Sequence, residues 1–166
     1  MNATIDVAKL AKTHYDAVFR FCAVRVGADH AADVTQEAFL IAHRNSHSFR
    51  GESAPITWVL GIALNECRSL LRKEGREGYL PDFSEPVGDS PESKLVNGHV
   101  LKAALAGLSE EHRAVVLLHE IDGLTQVEIS EILGIPIGTV KSRLHHAFAA
   151  LRKAIYDDTA RKEGMH

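Results

Sequence analysis

The sequence predicts an all-α fold in two small helical domains, and three observations carry that prediction. Apolar residues recur at three- and four-residue spacing through most of the chain, the mark of helices with one buried face. The pattern fails from Glu74 to about Glu92, where Gly75, Gly78, Pro81, Pro86, Gly88 and Pro91 interrupt it and acids dominate. Residues 124–151 then read as two helices joined by a tight turn, a helix-turn-helix. A length of 166 residues suits one ordinary domain or two small ones. The expected organisation is an N-terminal helical bundle over residues 1–73, a flexible acidic linker over 74–92, and a C-terminal four-helix domain with the helix-turn-helix over 93–166.

The first helix is expected over residues 6–25, with Val7, Leu10, Ala11, His14, Val18, Phe21 and Cys22 inward and Gly27 as its stop. His14 on the apolar side reads as a core or boundary histidine, since no second ligand stands at a useful spacing. The second helix runs from about His30 to His47, with Val34, Ala38 and Ile41 inward. Asp33, Gln36, Glu37, Phe39 and Leu40 spread acidic, amide and large apolar groups over more than one face, which suits a docking protein. The alternative is that Phe39 and Leu40 pack on neighbouring helices.

Phe49 to Ser53 forms a loop, and Pro55 opens a third helix over residues 55–73. Its inward stripe is expected to be Ile56, Leu60, Ala63, Cys67, Leu70 and Leu71. Opposite lie Trp58, Gly61, Asn65, Arg68, Ser69 and Arg72, groups able to stack a base, read its edge and hold phosphates, as single-stranded nucleic acid requires. The alternative is a Trp58 folded back into the core.

Beyond the linker, helical spacing resumes over residues 93–106 through Leu95, Val96, Val100, Ala103 and Ala104, until Gly107 breaks it. Ser109 caps the next helix, whose core candidates are Val115, Val116, Leu118 and Ile121, with Glu110 and Glu111 at its positive end. Thr125 and Glu128 form a capping box for a helix expected to bury Val127, Ile129, Ile132 and Leu133. Gly134 ends it and Pro136 pre-sets the backbone for the last helix. In that helix Val140, Leu144, Ala147 and Leu151 form one stripe at about 100° per residue. The outer face then carries Gly138, Thr139, Ser142, His145 and His146, with Lys141 and Arg143 on the flanks. Small and hydrogen-bonding groups between flanking cations suit base edges and phosphates of duplex DNA, while a plain αα-hairpin with a solvated face is the bland alternative. Residues 156–166 read as a polar, fraying tail.

The formal charge of −3 is unevenly divided. Residues 1–73 hold nine Lys/Arg against seven Asp/Glu, residues 74–98 two against six, and residues 99–166 eight against nine, giving +2, −4 and −1. Neither end is basic enough to bind nucleic acid tightly through bulk charge, so affinity is expected to depend on a partner. No apolar run has the length of a membrane span or signal peptide, which predicts a cytoplasmic protein without membrane insertion. Cys22 and Cys67 match no metal or redox spacing and read as buried thiols. Ten histidines raise a metal-dependent enzyme or sensor as a competing class, but they are scattered; His43 and His47 stand four apart without a third ligand type nearby. No catalytic signature is present, so no catalytic residue, metal site or cofactor is expected.

Three stretches carry a family resemblance: Asp33-Val34-Thr35-Gln36-Glu37-Ala38-Phe39-Leu40, then Phe49-Arg50-Gly51-Glu52 leading to Thr57-Trp58 and Ile62-Ala63-Leu64-Asn65, and Ile135-Pro136-Ile137-Gly138-Thr139-Val140-Lys141-Ser142-Arg143-Leu144. In this order and spacing the chain resembles the extracytoplasmic-function (group 4) sigma factors of bacterial RNA polymerase over nearly its whole length. The resemblance implies that the helix bearing Asp33, Gln36, Glu37, Phe39 and Leu40 docks on the β′ clamp of core RNA polymerase. It implies that Trp58, Gly61, Asn65, Arg68, Ser69 and Arg72 read a melted minus-ten element, Asn65 at the position that helps capture an unstacked base. Gly138, Thr139, Lys141, Ser142, Arg143, His145 and His146 would read the minus-thirty-five element as duplex, beside the β flap. An anti-sigma factor is a further implied partner. Many members carry arginines where this chain has Ile56, Gly61, Leu64, His146 and Phe148. The competing reading within DNA binding is a free-standing helix-turn-helix regulator, which leaves Trp58 and Asn65 without a role.

Overall fold

A computed structural model describes residues 4–83 and 98–165. The chain divides into two compact units, Met1–Tyr79 with Ser130–Gly134, and Leu80–Ile129 with Ile135–His166. All the regular structure among the described residues is helical, and none of those helices is long and apolar enough to cross a membrane.

In the first unit, α1 (Val7–Val26), α2 (Ala28–Arg44) and α3 (Pro55–Lys73) each pack on the other two, forming a three-helix bundle. The Asp6 carboxylate caps α1 by accepting from the Lys9 N–H at 3.1 Å. One residue, Gly27 at φ +88°, separates α1 from α2, a left-handed backbone that other residues adopt only under strain. The core joins Val18, Phe21, Cys22 and Val26 to Ala31, Val34, Ala38 and Ala42, and to Val59, Leu60, Ala63, Leu64 and Cys67. Three alanines on α2 let its backbone approach its neighbours closely.

Several expected core positions shift. Ile41 is only half-buried, while Ala31, Thr35, Phe39 and Ala42 are buried. On α3, Leu60, Ala63 and Cys67 are inward as expected, but Ile56, Leu70 and Leu71 are half-buried and Thr57, Val59 and Leu64 are buried. The cause is that α3 touches both α1 and α2, so its buried arc is wider than one stripe and turned towards Val59 and Leu64.

The start of the expected linker is folded. Arg76 donates to the Val26 carbonyl at 3.5 Å, pairs with Glu74 at 3.0 Å and lies over the Tyr79 ring at 4.7 Å. The Tyr79 hydroxyl would meet a Cβ at Gly27 at 3.4 Å. Leu80 and Phe83 are buried. Arg76, Tyr79, Leu80 and Phe83 are thus packed, while Glu74, Gly75, Glu77, Gly78 and Asp82 between them stay exposed, as their composition suggests. The rest of the linker, and Leu95 and Val96 of the next expected helix, lie outside the described residues.

The second unit packs α4 (Gly98–Ala106) and α5 (Glu110–Val116) on α7 (Ile137–Glu163). Ala104 and Leu105 of α4 are buried, whereas Ala103 is exposed. The Ser109 hydroxyl caps α5 by accepting from the His112 N–H at 3.2 Å. The helix then widens into a π turn, Leu117–Ile121, with Leu117 and Leu118 buried and Ile121 half-buried. The capping box of α6 (Gln126–Leu133) is fully formed: the Glu128 N–H donates to the Thr125 hydroxyl at 3.1 Å, and the Thr125 N–H to the Glu128 carboxylate at 2.8 Å. Of its expected core, Ile129 is fully buried, Ile132 and Leu133 are half-buried, and Val127 is 53% exposed. Residues 152–163 do not fray into coil. They continue α7 to Glu163, with an Asp158–Lys162 pair at 3.0 Å one turn apart along the helix.

Candidate nucleic-acid interface

Gly134, at φ +64°, turns the chain out of α6, and the Pro136 carbonyl accepts the Thr139 and Val140 N–H groups at 3.0 and 3.2 Å to start α7. Val140, Leu144, Ala147 and Leu151 are all buried, as their spacing predicts. That stripe forces the opposite face outward. Gly138, Lys141, Ser142, His145 and His146 are exposed, while Thr139 and Arg143 are half-buried. Arg143 is not a free cation: its guanidinium lies 3.5 Å from the Glu111 carboxylate of α5. The His146 ring stands 5.5 Å from His145 at 70° and 6.4 Å from His112 at 22°. Glu111 and His112 were not foreseen as members of this face, because they reach it through the α5–α7 contact and no local pattern announces that contact.

On α3, Asn65, Ser69 and Arg72 are exposed and Trp58, Gly61 and Arg68 are half-buried. Trp58 does not fold into the core, whose places are taken by Val59 and Leu64. Its ring packs on the buried Phe49 at 5.4 Å and 53°, which ties the loop before α3 to the helix start and leaves part of the indole accessible. The face thus keeps an aromatic surface, an amide and two guanidinium groups on one helix, a set that can stack and hydrogen-bond an unpaired base.

On α2, Asp33, Gln36 and Leu40 are exposed, Leu40 to 47%, and Glu37 holds Arg44 at 3.0 Å. Phe39 corrects the expected docking set. It is 8% exposed and stacks on Tyr15 at 6.4 Å, so it supports this surface from beneath. A groove of about 310 Å³ between α2 and α3 is lined by His30, Asp33, Val34, Glu37, Glu66, Ser69, Leu70 and Lys73, in which three carboxylates stand against one lysine.

Cys22 and Cys67 form no disulfide and are buried side by side between α1 and α3. The hydrogen bond to Cys22 and burial together push the Cys67 thiol far up, against ionisation. Among the described residues, no group of three or more His, Cys, Asp or Glu side chains is placed to hold a metal ion.

Comparisons with known proteins match two family models along the chain. Residues 10–77 match the family model for Sigma-70 region 2, and residues 99–151 that for Sigma-70, region 4. The RNA polymerase sigma factor SigW of Bacillus subtilis is 33% identical over 172 residues, covering 94% of this chain and 90% of SigW. The sigma-E factor of Haemophilus influenzae is 35% identical over 130 residues, 69% of each chain. Among solved structures, CnrH in complex with the cytosolic domain of CnrY superposes with a TM-score of 0.66 at 23% identity, covering 92% of this chain and 88% of CnrH, a likeness of fold. The sigma factor RpoE in complex with the anti-sigma factor NepR from Bartonella quintana gives 0.65 at 25% identity, covering 90% and 96%.

Proposed function

This chain belongs to the extracytoplasmic-function sigma factors of RNA polymerase, and from that premise we propose how its three surfaces divide the work of promoter recognition. A sigma factor directs promoter-specific initiation of transcription and is not an enzyme; the polymerase supplies the chemistry.

The α2 face of Asp33, Gln36, Glu37 and Leu40 docks on the β′ clamp, with Phe39 beneath it as a prop. The α3 face takes the minus-ten element as a melted strand. Trp58 offers a stacking surface, Asn65 reads a base edge, and Arg68, Ser69 and Arg72 hold the backbone. The α7 face, placed beside the β flap, reads the minus-thirty-five element as duplex: Gly138 permits close approach, Lys141 and Arg143 meet phosphates, and Ser142, His145 and His146 face base edges. The carrying observation is the buried Val140–Leu144–Ala147–Leu151 stripe, which commits Lys141, Ser142, His145 and His146 to the outside of one helix. An anti-sigma factor is a further expected partner, as in the RpoE complex with NepR, and the setting is the cytoplasm, where polymerase works.

The test is capture of core RNA polymerase by the purified full-length chain, comparing wild type with charge reversal at Asp33 and Glu37, followed by run-off transcription. Stoichiometric capture lost in the reversal supports the α2 assignment. Undiminished capture by the reversed chain overturns it. Transcription that survives replacement of Trp58 and Asn65 by alanine would overturn the α3 assignment.

A further inference from the structure

The stripe that buries α7 sets the direction of its outer face but not the rotamers of the side chains on it. Two of those side chains are restrained from a second helix. Arg143 and His146 lie three residues apart, one turn along α7, and both meet the first turn of α5: Arg143 through Glu111 at 3.5 Å, and His146 through the His112 ring at 6.4 Å and 22°. His112 is itself a fixed point. It is half-buried, and its backbone N–H is held by the Ser109 hydroxyl at 3.2 Å, so its ring leaves a capped helix end. His145 closes the other side, its ring edge towards His146 at 5.5 Å and 70°. An exposed imidazole on a helix ordinarily samples several χ1 and χ2 states, and this one stands between two rings.

We propose that His112, outside the helix-turn-helix, is a positioning residue for sequence reading: by stacking on His146 from α5 it fixes how that imidazole meets the base edges. The inference rests on the reading of α7 as the duplex-binding helix. Its physical content is that a restrained hydrogen-bonding group discriminates between bases better than a mobile one, which can turn to satisfy either. Loss of the His112 ring therefore erodes discrimination where His146 reaches, while the phosphate contacts that carry most of the affinity remain.

The experiment selects bound sequences from a library of random linear duplexes, using the full-length chain assembled with core RNA polymerase, for wild type, His112→Ala, His112→Phe and His146→Ala. Wild type is expected to enrich a duplex motif. His112→Ala is expected to lose preference at one or two adjacent base pairs, about fivefold, with the rest of the motif and the melting temperature unchanged. His112→Phe keeps a ring to stack and is expected to retain the preference, and His112→Ala added to His146→Ala is expected to change nothing more. A motif enriched by wild type and unaltered in His112→Ala would overturn the role of His112 alone. Equal, uniform weakening by His112→Ala and His112→Phe with the motif intact would overturn it too, marking His112 as scaffold. Failure of wild type to enrich any duplex motif would overturn the duplex reading of α7 and this inference with it.

Discussion

Replacing Ile129 by alanine is expected to open α6 without unfolding the rest of the chain. Ile129 is fully buried, and it is the one side chain of this eight-residue helix that is. The substitution removes three carbons; at about 0.8 kcal/mol for each buried methylene the transfer loss is about 2.4 kcal/mol. An incompletely collapsed cavity raises the cost to about 3–4 kcal/mol. Against this, the Thr125–Glu128 capping box returns only about 1 kcal/mol. Helices shorter than about 12 residues are marginal without tertiary packing, so α6 is expected to fray, while α7 keeps its own stripe on α4 and α5. The internal control is Val127→Ala in the same helix. Val127 is 53% exposed, and its loss is expected to cost less than about 1 kcal/mol. Urea denaturation of the full chain followed by circular dichroism gives the two costs, and amide exchange of residues 126–133 shows whether the opening is local. Costs for Ile129→Ala and Val127→Ala within about 0.5 kcal/mol of each other would refute the reasoning, because burial would then not be what holds α6.

Two further outcomes follow from the same geometry. Phe39 and Leu40 are neighbours in sequence with opposite expected phenotypes: Phe39→Ala should destabilise the bundle by about 3–4 kcal/mol in denaturant titration, whereas Leu40→Ala should leave stability nearly unchanged and weaken polymerase capture. Cys22 and Cys67 should resist a soluble disulfide reagent in the native chain and react together only as urea unfolds the first unit; because burial and the mutual hydrogen bond push Cys67 up, raising the pH to about 9, just above the usual thiol range, should not expose a fast native phase.

The sequence by itself determined whatever is governed by neighbours along the chain. The Thr125–Glu128 box, the Ser109 cap, the turn at Gly134, the start of α7 after Pro136 and its buried stripe are all local, because capping, left-handed turns and helical periodicity operate within about four residues. The outward face of α7 followed from them, and so did that of α3 in its main members. The width and exact rotation of the α3 core face did not, because they depend on two neighbouring helices at once: periodicity names the centre of a buried arc, and packing sets its edges. For the same reason periodicity left Phe39 open between docking and packing, which its burial and its stack on Tyr15 decide, and placed Val127 in a core that α6 reaches only through Ile129. Contacts between residues remote in sequence were left entirely to the tertiary structure. Cys22 meets Cys67, Arg76 returns to Val26, and Glu111 and His112 reach Arg143 and His146 because helices meet at places fixed by their whole packed surfaces, which no short stretch of sequence encodes.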